Sequence, residues 1–165
     1  MSETWIILGA TSAIARAMSR ELAAKGSGIL LAGRDMDELT DLAQDCGLRG
    51  ARFAEAAPLD IREASTFQPI IDRATAEQGA INVAVFVGSM PDQSEIDADP
   101  NMIEGVVTDS FTGPARFLQM IAPHVESRGN GTIVGVSSVA GDRGRLGNYV
   151  YGAAKSGFST YLSAP

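Results

Sequence analysis

Gly131-Thr132-Ile133-Val134-Gly135-Val136-Ser137-Ser138 reads as a buried strand ending in two serines, and Tyr151-Gly152-Ala153-Ala154-Lys155 opens a helix further on. Between them Gly141, Gly144 and Gly147 make a mobile loop. A strand end, a loop and a helix start are the parts from which an open α/β sheet builds a site at its carboxyl edge. Helix residues four apart share a face, so the Tyr151 phenol and the Lys155 ammonium can look into one pocket. A free phenol titrates near ~10, and a proton relay working near neutrality needs roughly 4 kcal/mol of extra stabilisation of the phenolate. One cation at ~4 Å in a medium of effective dielectric ~20 supplies about that much. Taken alone, a Tyr-x-x-x-Lys match also fits an ordinary amphipathic helix start, so the rest of the chain has to decide.

Working outward, short apolar runs alternate with helix-forming segments. Trp5 to Leu8 stops at Gly9, Ile29 to Ala32 stops at Gly33-Arg34-Asp35, and Val83 to Val87 stops at Gly88. A weaker third strand, Arg52 to Leu59, is interrupted by Pro58 and ends at Asp60. Helices are expected over Ser12 to Lys25, Met36 to Asp45 with Asp35 and Glu38 as a capping pair, Ala64 to Glu77, and Asn101 to Val125. Asp99-Pro100 starts the last of these and Gly113-Pro114 should kink it. Strands without polar alternation, separated by helices, predict an α/β fold: a doubly wound, Rossmann-type, mainly parallel sheet covered on both faces.

At 165 residues the chain is one domain's worth, read as a single nucleotide-binding unit over 1–165. A net charge of −7 argues against nucleic acid or an anionic membrane as partner, and no apolar run approaches the ~20 residues of a membrane span. Met1-Ser2-Glu3-Thr4 enters a strand without a signal-peptide pattern, and the one cysteine, Cys46, excludes an internal disulfide, so the cytoplasm is the expected compartment. Cys46 reads as structural. The one histidine, His124, reads as a surface or capping residue, with no cluster to suit a metal and no Gly-x-Ser-x-Gly for a hydrolase.

The turn Gly9-Ala10-Thr11-Ser12-Ala13-Ile14-Ala15 joins the first strand to the first helix. Such a turn can hold a pyrophosphate against a helix N-terminus, where free N–H groups and the dipole favour anions. Thr11 and Ser12 supply hydroxyls and amides. The second and third glycines of the usual pattern are Ala13 and Ala15, so an ordinary strand–helix turn remains an alternative. Arg34 at the second strand's end can fork onto a ribose 2′-phosphate, which favours NADP(H) with NAD(H) possible; the alternative is a solvent-facing arginine. Asp60 can accept from an adenine amino group or cap a helix.

With these residues assembled, the chain resembles the short-chain dehydrogenase/reductase family. The likeness rests on the Gly9 turn, Ala32-Gly33-Arg34-Asp35, Leu59-Asp60-Ile61, the Gly88 strand end, Val136-Ser137-Ser138-Val139-Ala140-Gly141 and Tyr151 to Lys155. The resemblance implies an enzyme moving a hydride between NAD(P) and a small-molecule carbonyl or alcohol. Ser138 would orient the substrate oxygen, Tyr151 would carry its proton, and Lys155 would also hold the nicotinamide ribose. The cofactor would run along Gly9, Thr11, Ser12, Ala13 and Ile14, past Arg34, Asp60, Ile61 and Gly88, to Tyr151 and Lys155. Gly-Ala-Thr-Ser-x-Ile-Ala looks like a bacterial variant of the glycine run.

Besides Ala13 and Ala15, two further features depart from the family. Its Asn-Asn-Ala-Gly reads Val85-Phe86-Val87-Gly88 here, and its fourth catalytic residue, an asparagine, falls at Ser110. Relatives also continue for about half as long again, whereas Ala164-Pro165 ends this sequence inside the Tyr151 helix. The substrate-closing segment is then missing, either because the full protein is longer or because this is a short form. A short form should expose apolar sheet edge and helix face. Relatives pair through the long helix and the Tyr151 helix, so a homo-oligomer is implied. The rival reading is a catalytically impaired nucleotide-binding or interaction domain.

Overall fold

The computed structural model describes residues 2–164; Met1 and Pro165, the two ends read above, lie outside the described residues. Five strands form one parallel sheet: β1 (Glu3–Leu8), β2 (Gly28–Gly33), β3 (Phe53–Pro58), β4 (Ala80–Val85) and β5 (Ile133–Gly135), in the order β3-β2-β1-β4-β5. Register aligns Leu8 with Ala32 on one side and with Val85 on the other. Chain order reverses between β1 and β4, and a crevice opens beyond their carboxyl ends, where doubly wound sheets take their ligands.

Alternate residues of each strand feed opposite faces. Ile6, Leu8, Leu30, Val83 and Val85 pack against Phe67, Ile71, Phe117, Ile121 and Phe158 on one side. Trp5, Ile7, Ile29, Leu31 and Ala84 pack against Ala15, Leu22, Leu39, Leu42 and Cys46 on the other. The expectation of a sheet buried on both faces is met. At one edge, β5 is three residues long and leaves Ile133 38% exposed. At the other edge, β3 carries Pro58, whose missing N–H an edge strand tolerates.

The helices are α1 (Ala13–Ala24), α2 (Met36–Leu48), α3 (Phe67–Thr75), α4 (Gln93–Ala98), α5 (Met102–Val107), α6 (Gly113–Arg128) and α7 (Tyr149–Leu162). Ser12 and Asp35 cap α1 and α2, accepting from Ala15 N–H at 3.3 Å and Glu38 N–H at 3.0 Å. The helix expected from Ala64 begins as a 3-10 turn, Ala64–Thr66, and Pro69 falls in the first turn of α3, where no amide donor is needed. The long helix expected from Asn101 is two helices joined by a π-helical turn, Thr108–Thr112, directly before Gly113-Pro114, the expected place of the kink. Helix α4 was not expected, and α7 ends at Leu162 with Ser163 as its C-cap, within the chain.

Candidate active site

The crevice is a cleft of about 270 Å³ lined by Gly9, Thr11, Ser12, Arg34, Asp60, Ile61 and Gly88, together with Leu59, Phe86, Ser89 and Asp109. Gly9 has φ +77°, and a Cβ there would come within 3.1 Å of the Phe86 backbone, so the turn needs glycine on both counts. Its N–H donates to Ala32 O at 2.9 Å, tying the turn to β2. Ser12 Oγ accepts the Ala15 amide and keeps its own proton to donate. Ala13 and Ile14 are exposed and do not line the cleft, while Ala15 is fully buried, its methyl accommodated between helix and sheet.

Arg34 is exposed at the cleft's mouth and forms no salt bridge among the described residues. Asp60 Oδ1 accepts from Arg62 N–H at 2.9 Å, a tight local turn instead of a helix cap. Asp109 carries no sequence motif that would single it out. Arg62 grips it with a fork of two 2.7 Å bonds, from Nε and a terminal nitrogen. Burial raises the Asp109 pKa, but the Arg62 fork and the Ser89 contact outweigh it and hold the carboxyl below its ordinary range.

A smaller pocket of about 150 Å³ adjoins the cleft and shares Phe86, Val87 and Gly88 with it. Tyr151 and Lys155 line this second pocket, with Met90, Val136 and Ser137. Lys155 is 3% exposed, and its Nζ donates to Val87 O at 3.2 Å and Val136 O at 3.1 Å. The ammonium lies 6.0 Å from the Tyr151 ring centroid and 5.3 Å from that of Phe158. Burial pushes its pKa down, and among the described residues no carboxylate pairs with it.

Of the two adjacent serines, Ser137 lines the Tyr151 pocket and Ser138 does not. Ser138 Oγ accepts from Ala140 N–H at 3.2 Å and retains a proton to donate. Ser137 Oγ turns into α7, 3.1 Å from Lys155 O and 2.6 Å from Ser159 Oγ. Ser110, fully buried in the π-turn, accepts from Ser89 N–H at 3.2 Å and sits 3.4 Å from Ser89 O. A Cβ on Gly88 would touch both Ser110 Oγ and Lys155 Nζ at 3.4 Å, which places the π-turn and α7 side by side at this strand end.

Beneath Tyr151 lies a small apolar cluster of Ile96, Val106 and Val150, with Met102 and the Tyr151 ring against it. Ile96 comes from α4, the helix that sequence reading passed over. Asp92-Gln93-Ser94-Glu95, an acidic cap residue with Glu three positions on, was the available signal.

The residues present suit a dinucleotide: a glycine cradle, a helix N-terminus with spare hydroxyls, an exposed arginine and a carboxylate along one crevice. Fold and cleft define a dinucleotide-binding doubly wound protein. The chain belongs to the short-chain dehydrogenase family, whose family model, "short chain dehydrogenase", matches residues 3–164. It is similar to an uncharacterized oxidoreductase of Mycobacterium tuberculosis, 33% identical over 159 residues that cover 96% of this chain and 64% of that protein. It is also similar to sulfoacetaldehyde reductase 2 of Chromohalobacter salexigens, at 30% over 162 residues, covering 94% and 62%. The fold matches actinorhodin polyketide ketoreductase solved with NADPH, with a TM-score of 0.87 at 22% identity, over 97% of this chain and 62% of that one. The chain thus spans just under two thirds of the length of the curated relatives it matches. No helix among the described residues is long and apolar enough to cross a membrane.

Proposed function

We propose that this chain carries the cofactor-binding and proton-transfer parts of an oxidoreductase acting on a small-molecule carbonyl or alcohol. The observation that carries the reading is Lys155: a buried ammonium without a carboxylate, held by two strand-end carbonyls next to the Tyr151 ring. Burying such a cation with no opposite charge beside it costs stability, which a functional role would account for. Gly9, Thr11 and Ser12, which line the cleft, would hold the pyrophosphate; Ala13 and Ile14, outside the lining, would add only their backbone amides at the start of α1. Arg34 would fork onto a 2′-phosphate, making NADP(H) preferred and NAD(H) possible. Asp60, with Ile61 beside it, would meet the adenine, Gly88 would let the chain pass close, and Lys155 would also reach the nicotinamide ribose. A bound nicotinamide supplies or accepts the hydride.

The chain's own residues manage the substrate oxygen. Ser138 donates its free proton to that oxygen and orients it. The Tyr151 phenol gives up its proton to the oxygen in reduction and takes one back in oxidation. Lys155, its ammonium 6.0 Å from the Tyr151 ring centroid, would favour negative charge developing on that side of the pocket. Ser110 holds the Ser89 backbone and so keeps the strand end next to Lys155 in place. The whole reads as one unit over 1–165, paired as a homo-oligomer through α5, α6 and α7, in a reducing compartment such as the cytoplasm that suits the buried thiol of Cys46.

The test is binding set beside turnover. Titration with NADPH and NADH, then reduction of a carbonyl panel by the chain and by Tyr151→Phe, should give cofactor binding in both proteins and turnover in the first alone. Equal turnover in the two would reject the mechanism.

A further inference from the structure

Helix α7 starts without the cap that helices usually have. Its N-cap residue, Asn148, makes no side-chain bond to the first turn. An N-cap side chain normally accepts from the second or third amide of the helix. Here the second amide, Val150 N–H, donates instead to Gln93 Oε1 at 3.3 Å, from a helix far away in sequence.

Gln93 is held for this task. It is 5% exposed, and its Nε2 donates to Asp97 Oδ1 at 3.0 Å, one turn along α4. That same carboxylate oxygen accepts from the Tyr149 hydroxyl at 2.5 Å, which brings the network back to the first residue of α7. A carboxylate can only accept and an amide N–H can only donate, so the Gln93 amide has one orientation that serves both ends. Ile96, 2% exposed, anchors α4 against Val150, with the Tyr151 ring packed on the same cluster. A six-residue helix has little stability of its own, so these contacts are what fix it.

We infer that Gln93 is a positioning residue for the proposed proton relay: through Val150 it sets where α7 begins and hence where the Tyr151 phenol stands. Asp97 and Tyr149 lock the amide in the orientation this needs. The role in turnover rests on the reading of Tyr151 proposed above; the role in fixing the helix start does not.

The test uses the whole chain. Gln93→Leu keeps a side chain of similar size but removes the acceptor. Amide hydrogen exchange from Val150 to Lys155 should then quicken by about tenfold, while exchange in β1 and β2 stays as in the parent protein. Carbonyl reduction should fall in kcat by about tenfold with KM for the nucleotide little changed. The double variant Gln93→Glu with Asp97→Asn reverses the polarity of the bond, because the new carboxylate accepts from both Val150 and the new amide. It should restore slow exchange and most of the turnover. Unchanged exchange in Gln93→Leu overturns the inference, as does quickened exchange with undiminished turnover or a double variant no better than the single one. If neither the parent chain nor its variants reduce any carbonyl while binding nucleotide, the proposed function fails, and the exchange contrast alone decides the role of Gln93. Global unfolding of Gln93→Leu is recognised by fast exchange in β1 and β2; Tyr149→Phe, which frees only the outer end of the network, then serves in its place with the same readout.

Discussion

Lys155 Nζ, on α7, donates to the carbonyl oxygen of Val87 just past the end of β4, across 3.2 Å. This one bond joins the helix that carries Tyr151 to the strand end that forms the back wall of the nucleotide cleft. The lysine reaches it from a site only 3% exposed, and desolvation alone lowers its pKa.

Such a lysine is expected to be retained at the expense of stability. A folded-state pKa below the unfolded value means that the unfolded chain binds more protons between the two, so the penalty is fully present below the folded pKa and fades as pH rises towards the unfolded one. Lys155→Met should therefore raise stability near neutral pH by roughly 0.5–2 kcal/mol while abolishing turnover. Urea unfolding at several pH values checks this, and the gap between variant and parent should narrow as pH climbs towards the free lysine value.

On the proposed reading, in which Arg34 meets a ribose 2′-phosphate, this one side chain sets the choice between the two nicotinamide nucleotides. Arg34→Ala should weaken NADPH binding by roughly 1.5–3 kcal/mol, the worth of hydrogen bonds to a charged group, and leave NADH nearly unchanged. Calorimetric titration of both nucleotides decides it; an unaltered preference would return Arg34 to an ordinary surface role.

At Gly9, φ +77° is strained for any side chain, and a Cβ would crowd the Phe86 backbone at 3.1 Å. Gly9→Ala should lower stability by ~1–3 kcal/mol and weaken both nucleotides alike, since the turn serves the part they share. Thermal melts and the same titrations measure the two effects.

The Arg62–Asp109 fork clamps the loop after β3 onto the π-turn. Asp109 has a folded pKa below the unfolded value, so its contribution is present above the unfolded pKa and is lost as pH falls through the folded one. Asp109→Asn should cost roughly 1.5–3 kcal/mol near neutrality, and the difference should vanish in acid below the ordinary carboxylate range. Denaturation at pH 7 and in acid gives both numbers.

How much of this was legible in the sequence differs from element to element. The runs Trp5–Leu8 in β1, Ile29–Ala32 in β2 and Val83–Val85 in β4 are apolar without alternation, as in strands covered on both faces, and the packing of Ile6 and Ile7 onto opposite faces bears that out. The turns after them, ending in Gly9, Gly33-Arg34 and Gly88, lead to the observed cleft. Helix α4 is faint in the sequence: the Asp92–Glu95 spacing is its one signal, Asp92 makes no side-chain cap bond, and a short polar segment with one buried apolar anchor, Ile96, depends on tertiary contacts more than on propensity. The π-turn was read only as a bend: Gly113 marks the place, since a Cβ there would meet Ile61 O at 2.6 Å, but nothing in local propensity encodes the wider turn before it. Asp109 stayed hidden because its partner, Arg62, is remote in sequence.

The most direct measurement is the pair of numbers from Tyr151→Phe: NADPH dissociation constant and carbonyl turnover. If Tyr151 carries the proton, the constant stays within about twofold of the parent's and the rate falls by roughly 10²–10⁴, the range for losing a positioned proton donor. A variant that turns over substrate as fast as the parent would contradict it.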